Sequence, residues 1–416
     1  MEERRAVWSW ALYDWANSAF ATVVLAGFFP ILFGGLWSND VAAVESNYRL
    51  GMINAAAGAF IAVSAPVLGA LADVGGFKKR MLAIFMVLGA TATGLLFFVD
   101  AGQWVAAGLL YIAGSIGFMA ANIFYDALLI SVAPKSRWHF VSGLGFGLGY
   151  LGGGLLYAFC VWMAIAPQRF GFADATAAAQ FSFLLVAGWW AVFALPVLVW
   201  VNDRPVSRSP RHGLAVQAFK QVWRTLRKIR SHRNAAVFLL AYWFYIDGVD
   251  TIIRMAVAYG TSLGFGTEDL IKALLLTQFI GFPAAIIYGK LSERFTAKRS
   301  LYAGLVTYVG ICIWGTQIQS AAEFYGVAVL IGLVQGGVQS VSRSFFAGLI
   351  PRQESAEFFG FYNLLGKFAT LLGPPLFAIV GREAGDVRYS ILSLILLFAI
   401  GMLLLSRVRE EQGAER

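Results

Sequence analysis

Long apolar stretches are the feature that most constrains how this chain can fold. Twelve of them follow one another along the sequence, and most contain 19–28 residues. An α-helix of about 20 residues crosses the hydrocarbon core of a bilayer, whereas barrel strands would appear as alternating segments of about 10 residues. Only 13% of the residues are charged, against about 25% in a typical soluble domain. We therefore predict an all-α integral membrane protein.

The predicted spans form two groups of six. The first group occupies 8–36, 50–74, 81–99, 104–131, 140–164 and 181–201. The second group occupies 235–259, 270–292, 301–318, 324–349, 358–380 and 391–406. The domain prediction is an N-terminal six-helix bundle at 1–201, a basic cytoplasmic linker at 202–234, and a C-terminal six-helix bundle with a short cytoplasmic tail at 235–416.

Lysine and arginine are distributed unequally between the two sides of the predicted membrane. The termini and alternate loops hold 23 of them, while the opposite loops hold Arg49, Arg169, Arg382 and Arg388. The positive-inside rule places both termini in the cytoplasm. This distribution explains the net charge of +9 without a nucleic-acid partner.

The linker between the two groups carries nine Lys or Arg residues and one acid, Asp203. Within it, 213–230 has apolar residues at helical spacing with basic residues between them. This pattern predicts an amphipathic helix at the cytoplasmic membrane surface. The alternatives are a regulatory target and a lipid-tethered linker.

The two halves contain an internal repeat. Gly69-Ala-Leu-Ala-Asp73-Val-Gly-Gly-Phe-Lys78 follows span 2, and a copy that starts at Gly289 and includes Glu293 follows span 8, 220 residues later. A second pair of related motifs lies in spans 1 and 7. Six spans, a long loop and six further spans therefore indicate two related bundles.

These motifs resemble those of the major facilitator superfamily over nearly the whole chain. Val74 and Phe77 stand where that superfamily usually has basic residues, which predicts a weaker gating network in the first half. Tyr13-Asp-Trp-Ala-Asn-Ser-Ala-Phe-Ala-Thr and Tyr245-Ile-Asp-Gly-Val-Asp-Thr-Ile resemble the branch of fungal vacuolar amino-acid effluxers of autophagy and their bacterial relatives. The resemblance implies a pseudo-symmetric fold, a cavity lined by spans 1, 4, 7 and 10, and an amino-acid-type substrate.

Span 7 contains charged residues whose transfer into hydrocarbon costs free energy. Asp247, Asp250 and Arg254 are spaced i, i+3, i+7, so we expect them to share one helix face that points into a cavity. An Asp250–Arg254 ion pair is the alternative, although it does not explain Asp247.

The polar residues of the spans supply two sets of candidates. The predicted substrate and coupling-ion residues are Tyr13, Asp14, Asn17, Asn122, Tyr125, Asp247, Asp250, Arg254, Gln335, Gln339 and Asn363. The predicted cytoplasmic gate consists of Asp73, Lys78, Asp126, Glu293, Arg294, Lys298, Arg343 and Lys367. Asp126 could form a salt bridge with Arg343 or Lys367 that closes the cytoplasmic side; alternatively, Arg343 could bind a substrate carboxylate.

The predicted spans contain four acidic and three basic residues, so pairing each base with one acid leaves one carboxylate without a partner. An unpaired carboxylate in a cavity has its pKa raised by desolvation and can carry a proton. We hypothesise that Asp247 or Asp14 does so. In one alternative, Asp14 lies at the membrane interface and caps a helix start. Separately, sodium is an alternative to the proton as the coupling ion.

Together these features predict a secondary active transporter that moves a small polar metabolite, an amino acid or similar zwitterion, by alternating access. The alternatives are an exporter of drugs or other metabolites with the same fold, and a non-transporting receptor or scaffold. The sequence contains no Walker A loop, catalytic triad or H-E-x-x-H zinc helix, so we expect no enzymatic activity, cofactor or metal. We expect a monomer in the bacterial inner membrane.

Overall fold

The computed structural model describes residues 2–203, 232–368, 372–384 and 386–410. The predicted amphipathic helix of the linker lies outside these residues. The first half of the chain forms α1 (Glu2–Trp37), α2 (Ala43–Gly75), α3 (Lys78–Leu95), α4 (Trp104–Val132), α5 (Trp138–Ile165) and α6 (Ala175–Trp200).

The second half is also helical, with one interruption in the eleventh predicted span. Its helices are α7 (Arg233–Ser262), α8 (Thr267–Phe295), α9 (Ala297–Gly315), α10 (Ala321–Leu349), α11 (Ser355–Phe368), α12 (Gly373–Ala384) and α13 (Leu394–Ser406). Within the described residues, ten helices are long and apolar enough to cross a membrane. This confirms the prediction of a helical membrane protein, whereas the count of twelve spans stays a prediction.

Two spans differ from the sequence-based expectation. The span predicted at 358–380 is divided into α11 and α12, because Pro374 and Pro375 lack the N–H that a helix interior requires and fit only the first turn of a new helix. The span predicted at 391–406 begins as a 3₁₀-helix, Val387–Ser393, before α13. The first span is one helix that contains wider π-helical segments at Phe20–Phe28 and Phe33–Trp37.

The helices alternate in direction, so the basic loops meet at one end of the molecule, which we call the basic end. There Arg137 lies 3.6 Å from Glu3 at the start of α1. The amide of Lys79 donates to Asp203, after the end of α6. In the second half, the Lys298 ammonium donates to the Ser406 carbonyl.

The two halves are in close contact at the basic end through two helix pairs. α2 packs on α11, and a Cβ added to Gly69 would lie 2.1 Å from the Ala356 carbonyl oxygen. α5 packs on α8, and a Cβ added to Gly289 would lie 2.6 Å from the His139 carbonyl oxygen. The glycine of each repeat motif therefore permits close contact between a helix of its own half and a helix of the other half.

Replacing Gly69 by valine should force α2 away from α11 and destabilise the protein by about 1–3 kcal/mol, as overpacking of a tight contact usually does. Gly58→Val on the same helix is the matched control, because a Cβ there meets nothing within 4 Å. Thermal unfolding of both variants in detergent measures the difference. Equal melting temperatures would contradict the described contact between α2 and α11.

Candidate functional site

A cavity of about 390 Å³ lies between the two halves. Its lining comes from α1, α4 and α5 in the first half and from α7, α8, α10 and α11 in the second. A volume of this size is within the range of small-molecule sites. The lining is rich in carboxylate, amide and hydroxyl groups, which suits a small polar molecule.

An ion triad of Asp14, Asp126 and Arg343 forms the floor of the cavity toward the basic end. Arg343 Nη1 lies 3.1 Å from Asp126 Oδ1, and Nη2 lies 3.3 Å from Asp14 Oδ2. The side chain of Arg343 is only 3% exposed, and those of the two aspartates are 12% and 9% exposed. Since Arg343 belongs to α10 and the aspartates belong to α1 and α4, the triad connects the two halves.

Neighbouring polar groups orient every member of the ion triad. Arg343 Nε donates to Ser142 Oγ at 2.9 Å, and Nη2 donates to the Ser142 carbonyl at 3.0 Å. The Tyr125 hydroxyl donates to Asp14 Oδ2 at 2.8 Å, and Asn363 Nδ2 donates to Asp126 Oδ2 at 3.0 Å. Hydrogen bonds of this kind are needed to offset the desolvation of buried charges.

Three aromatic rings surround the Arg343 guanidinium. Its carbon lies 4.4 Å from the Phe146 ring centroid, 4.8 Å from that of Trp10 and 5.3 Å from that of Tyr125. Cation–π attraction at these distances contributes most where water is excluded. The rings therefore fix the position of the guanidinium between the halves.

The charges of the ion triad do not cancel. Two carboxylates face one guanidinium, so the ionised triad carries one net negative charge. Uptake of one proton or one monovalent cation would neutralise it. The arrangement can therefore respond to a cation while it holds the two halves together.

Seven of the predicted substrate and coupling-ion residues line the cavity: Asp14, Asn17, Asn122, Asp250, Gln335, Gln339 and Asn363. Tyr13 and Tyr125 lie behind this lining, where their rings contact each other with centroids 4.9 Å apart. Arg254 is exposed and is not part of the lining.

Asp247 does not face the cavity, contrary to the prediction that it shares one face with Asp250. It is fully buried, and its carboxylate accepts the backbone N–H groups of Leu372 at 3.0 Å and Gly373 at 2.9 Å. Thr251 donates a further hydrogen bond of 3.3 Å. Asp247 therefore caps the start of α12, where a helix leaves N–H groups unpaired and favours negative charge.

The cavity face of α7 consists of other residues. Tyr242, Ile246, Asp250 and Ile253 all line the cavity. Their spacing of i, i+4, i+8 and i+11 is that of one helical stripe. Asp247 follows Ile246 by about 100° around the helix, which turns it toward α12.

The predicted gate residues of the first repeat motif join the two halves at the basic end. Asp73 Oδ1 lies 2.8 Å from Lys78 Nζ, and Asp73 Oδ2 accepts the N–H of Glu357 at 2.8 Å. Lys78 Nζ donates to Ser355 Oγ at 2.7 Å. The acid of the motif thus binds the first turn of α11.

The second repeat motif makes a related contact with its acid but not with its basic residues. Glu293 Oε1 accepts the N–H of Phe140, in the first turn of α5, at 2.9 Å. Lys298 instead donates to the Ser406 and Val408 carbonyls at the end of α13, so it acts within its own half. Arg294 is exposed near the Phe295 ring, and the side chain of Lys367 lies outside the described residues.

Several residues around the ion triad were not predicted from the sequence. Ser142 belongs to a glycine-rich stretch, in which small residues indicate helix packing rather than a polar contact. Tyr242 and Tyr362 stack at 4.2 Å and both line the cavity. Tyr242 lies eight residues before Asp250 and so on the same face of α7. This spacing could have identified Tyr242 as a cavity residue. Within the described residues, no group of three or more His, Cys, Asp or Glu side chains is arranged to hold a metal.

The chain is similar to one protein family and to named bacterial and fungal proteins. The family described as "Vacuole effluxer Atg22 like" matches residues 50–137 and 131–416. The chain is 40% identical over 409 residues to the "Uncharacterized MFS-type transporter YxiO" of Bacillus subtilis, covering 98% of this chain and 95% of that protein. It is 26% identical to autophagy-related protein 22 of Eremothecium gossypii, covering 81% of this chain and 72% of that protein.

Solved transporter structures share the fold at low sequence identity. The human organic anion transporter MFSD10 superposes with a TM-score of 0.75 at 16% identity, covering 97% of this chain and 99% of that chain. The proton:xylose symporter XylE superposes with a TM-score of 0.71 at 13% identity, covering 98% of this chain and 95% of that chain. The Bacillus subtilis relative is named as a transporter and the matched family as effluxers, which confirms the prediction of a membrane transporter rather than an enzyme.

Replacing Asp247 by alanine should expose the start of α12 and destabilise it by about 0.5–2 kcal/mol, the usual range for loss of a helix cap. Amide hydrogen exchange of residues 373–384 is the measurement, and faster exchange there is expected. Asp250→Ala, on the cavity face of the same helix, is the control and should leave that exchange unchanged. Equal effects of both substitutions would contradict the capping role of Asp247.

Proposed function

Because the chain belongs to the vacuole effluxer Atg22-like family of major facilitator transporters, it is a secondary transporter, and we propose that it moves an amino acid or a similar zwitterion coupled to protons. The observation that carries this proposal is the ion triad, which carries a surplus negative charge at the floor of a polar cavity. The substrate is a small molecule and the chain spans a lipid bilayer.

The proposed architecture has twelve spans in two six-helix bundles, and α11 and α12 together form the eleventh span. The chain superposes on nearly the full length of two solved transporter structures, which supports the count of twelve spans. We further propose that both termini are cytoplasmic in a bacterial inner membrane. The excess of lysine and arginine at the basic end and the bacterial relative support that orientation and location.

The cavity chemistry supports a zwitterionic substrate. Asp250 places a carboxylate in the lining that suits an ammonium group. Asn17 Nδ2 donates to Asn122 Oδ1 at 2.6 Å, so the amide N–H groups of Asn122 and Gln339 are the donors that suit a carboxylate. Arg343 is less suited to bind a substrate carboxylate, because its donors already reach Asp14, Asp126 and Ser142. We therefore assign Arg343 to the gate rather than to substrate binding.

The coupling step is proposed to occur at the ion triad. A proton on Asp14 or Asp126 would remove the surplus charge and weaken one of the two contacts with Arg343. Alternating access requires the halves to separate at one end and close at the other around the substrate. Neutralising one contact would lower the cost of separating the halves at the basic end.

Counterflow in proteoliposomes with a panel of amino acids tests the proposal. We expect saturable exchange of at least one zwitterion, accelerated by a proton gradient and indifferent to sodium. Stimulation by sodium alone would assign coupling to sodium. Exchange of apolar drugs without any zwitterion would favour a drug exporter. Binding without exchange of any compound would favour a receptor.

Asp14→Asn and Asp126→Asn should each flatten the pH dependence of exchange, because each leaves Arg343 with one carboxylate and no surplus charge. The measurement is the exchange rate across a pH series. Asp247→Asn is the matched control: it alters the α12 cap, so its rate can fall while its pH dependence persists. Unchanged pH dependence in both triad variants would rule out proton coupling at the triad.

Charge reversal distinguishes a gate from a substrate clamp. Arg343→Asp and Asp126→Arg should each abolish transport, because loss of one partner from a buried ion pair costs about 3–5 kcal/mol. The double variant with both reversals restores an opposite pair and should regain transport. If it stays inactive while folding normally by thermal unfolding, Arg343 acts on the substrate instead.

A further inference from the structure

A second cavity of about 360 Å³ lies at the basic end, outside the transport cavity, between the starts of α1 and α5. Its charged rim consists of Glu3, Arg4 and Arg137. Its wall consists of Val7, Trp8, Phe140 and Leu144. The rim and the wall are thus chemically distinct, as they are in a site for an amphipathic molecule. We call this cavity the interfacial groove.

The rim is positively charged and accessible. Two arginines face one glutamate, and Arg137 lies 3.6 Å from Glu3 with both side chains about half exposed, 48% and 57%. An exposed pair at this distance is weak and is readily replaced by a stronger partner. Lys290 adds a third cation above the Phe140 ring at 5.5 Å, and the nearby Glu293, which accepts the Phe140 N–H, adds a second acid, so these five side chains carry one net positive charge.

The wall lies where α1 changes from charged to apolar residues. Trp8 is 45% exposed, on a helix whose following residues are apolar enough to cross a membrane. Tryptophan on a spanning helix is typical of the boundary between headgroups and acyl chains. A molecule with its charge at the rim would therefore direct its apolar part along the wall toward the bilayer core.

We propose that the interfacial groove binds one anionic phospholipid, with its phosphate between Arg4 and Arg137 and an acyl chain against Trp8 and Phe140. A soluble anion would use only the rim and leave the exposed face of Trp8 uncovered. The basic linker at 202–234 carries charge of the same sign as the rim and does not complement it. Basic pockets between spanning helices are known to bind anionic lipid headgroups.

Native mass spectrometry of the full-length protein in detergent tests this site with phosphatidylglycerol and phosphatidylcholine. We expect preferential binding of phosphatidylglycerol. Arg4→Gln combined with Arg137→Gln should weaken it about thirtyfold, since each basic residue near an anionic lipid contributes about fivefold. Arg80→Gln with Arg299→Gln is the matched control, because it removes two exposed charges at the same end.

Equal weakening by the groove variant and the control would overturn the proposal and indicate only diffuse attraction. Equal protection against unfolding by inorganic phosphate and by phosphatidylglycerol would assign the groove to a soluble anion, which also overturns it. Glu3→Gln supplies an independent variant. It removes the acid of the rim and should tighten phosphatidylglycerol binding, so unchanged or weaker binding would contradict the proposed headgroup position.

Discussion

The buried charge of Arg343 is the constraint on which the central arrangement of this transporter depends. A guanidinium that is 3% exposed among apolar helices is tolerable only if its N–H donors are satisfied and its charge is opposed. Those requirements are met by groups from three helices of the first half, through Asp14, Asp126 and Ser142. Because Arg343 itself belongs to the second half, meeting them brings the two halves together and closes the cavity toward the basic end.

Closure at the basic end also relies on a second kind of contact, between a motif acid and a helix start, and each half contributes one such acid. Asp73 and Glu293, the acids of the two repeat motifs, each accept a backbone N–H from the first turn of a helix in the opposite half. A helix start favours negative charge, so each acid stabilises the packing of the helix pair whose glycine permits the close contact. The basic residues are less symmetric: Lys78 binds across the halves, whereas Lys298 binds the end of α13.

Much of this arrangement was accessible from the sequence because charge in hydrocarbon is conspicuous. The helical spans and the repeat followed from apolar runs and motif spacing, and the few ionisable residues within the spans gave Arg343 as one of two candidate partners of Asp126. The orientation of Asp247 did not follow, because helical spacing cannot tell which of two adjacent faces meets the cavity and which meets another helix. The contact of Ser142 could not be predicted for a different reason. Its hydroxyl accepts a hydrogen bond from Arg343, which is distant in sequence and comes close only in the folded protein.

The repeated motifs of α1 and α7 use their acids differently. Asn17 and Asp250 occupy matching positions and both line the cavity. Asp14 and Asp247 also match in sequence, yet Asp14 binds Arg343 while Asp247 caps α12. The difference follows from the partner helices: α12 begins at the interruption of the eleventh span and presents free N–H groups to α7. The first half therefore uses its acid to bind the arginine of the other half, and the second half uses its equivalent acid to cap the start of α12.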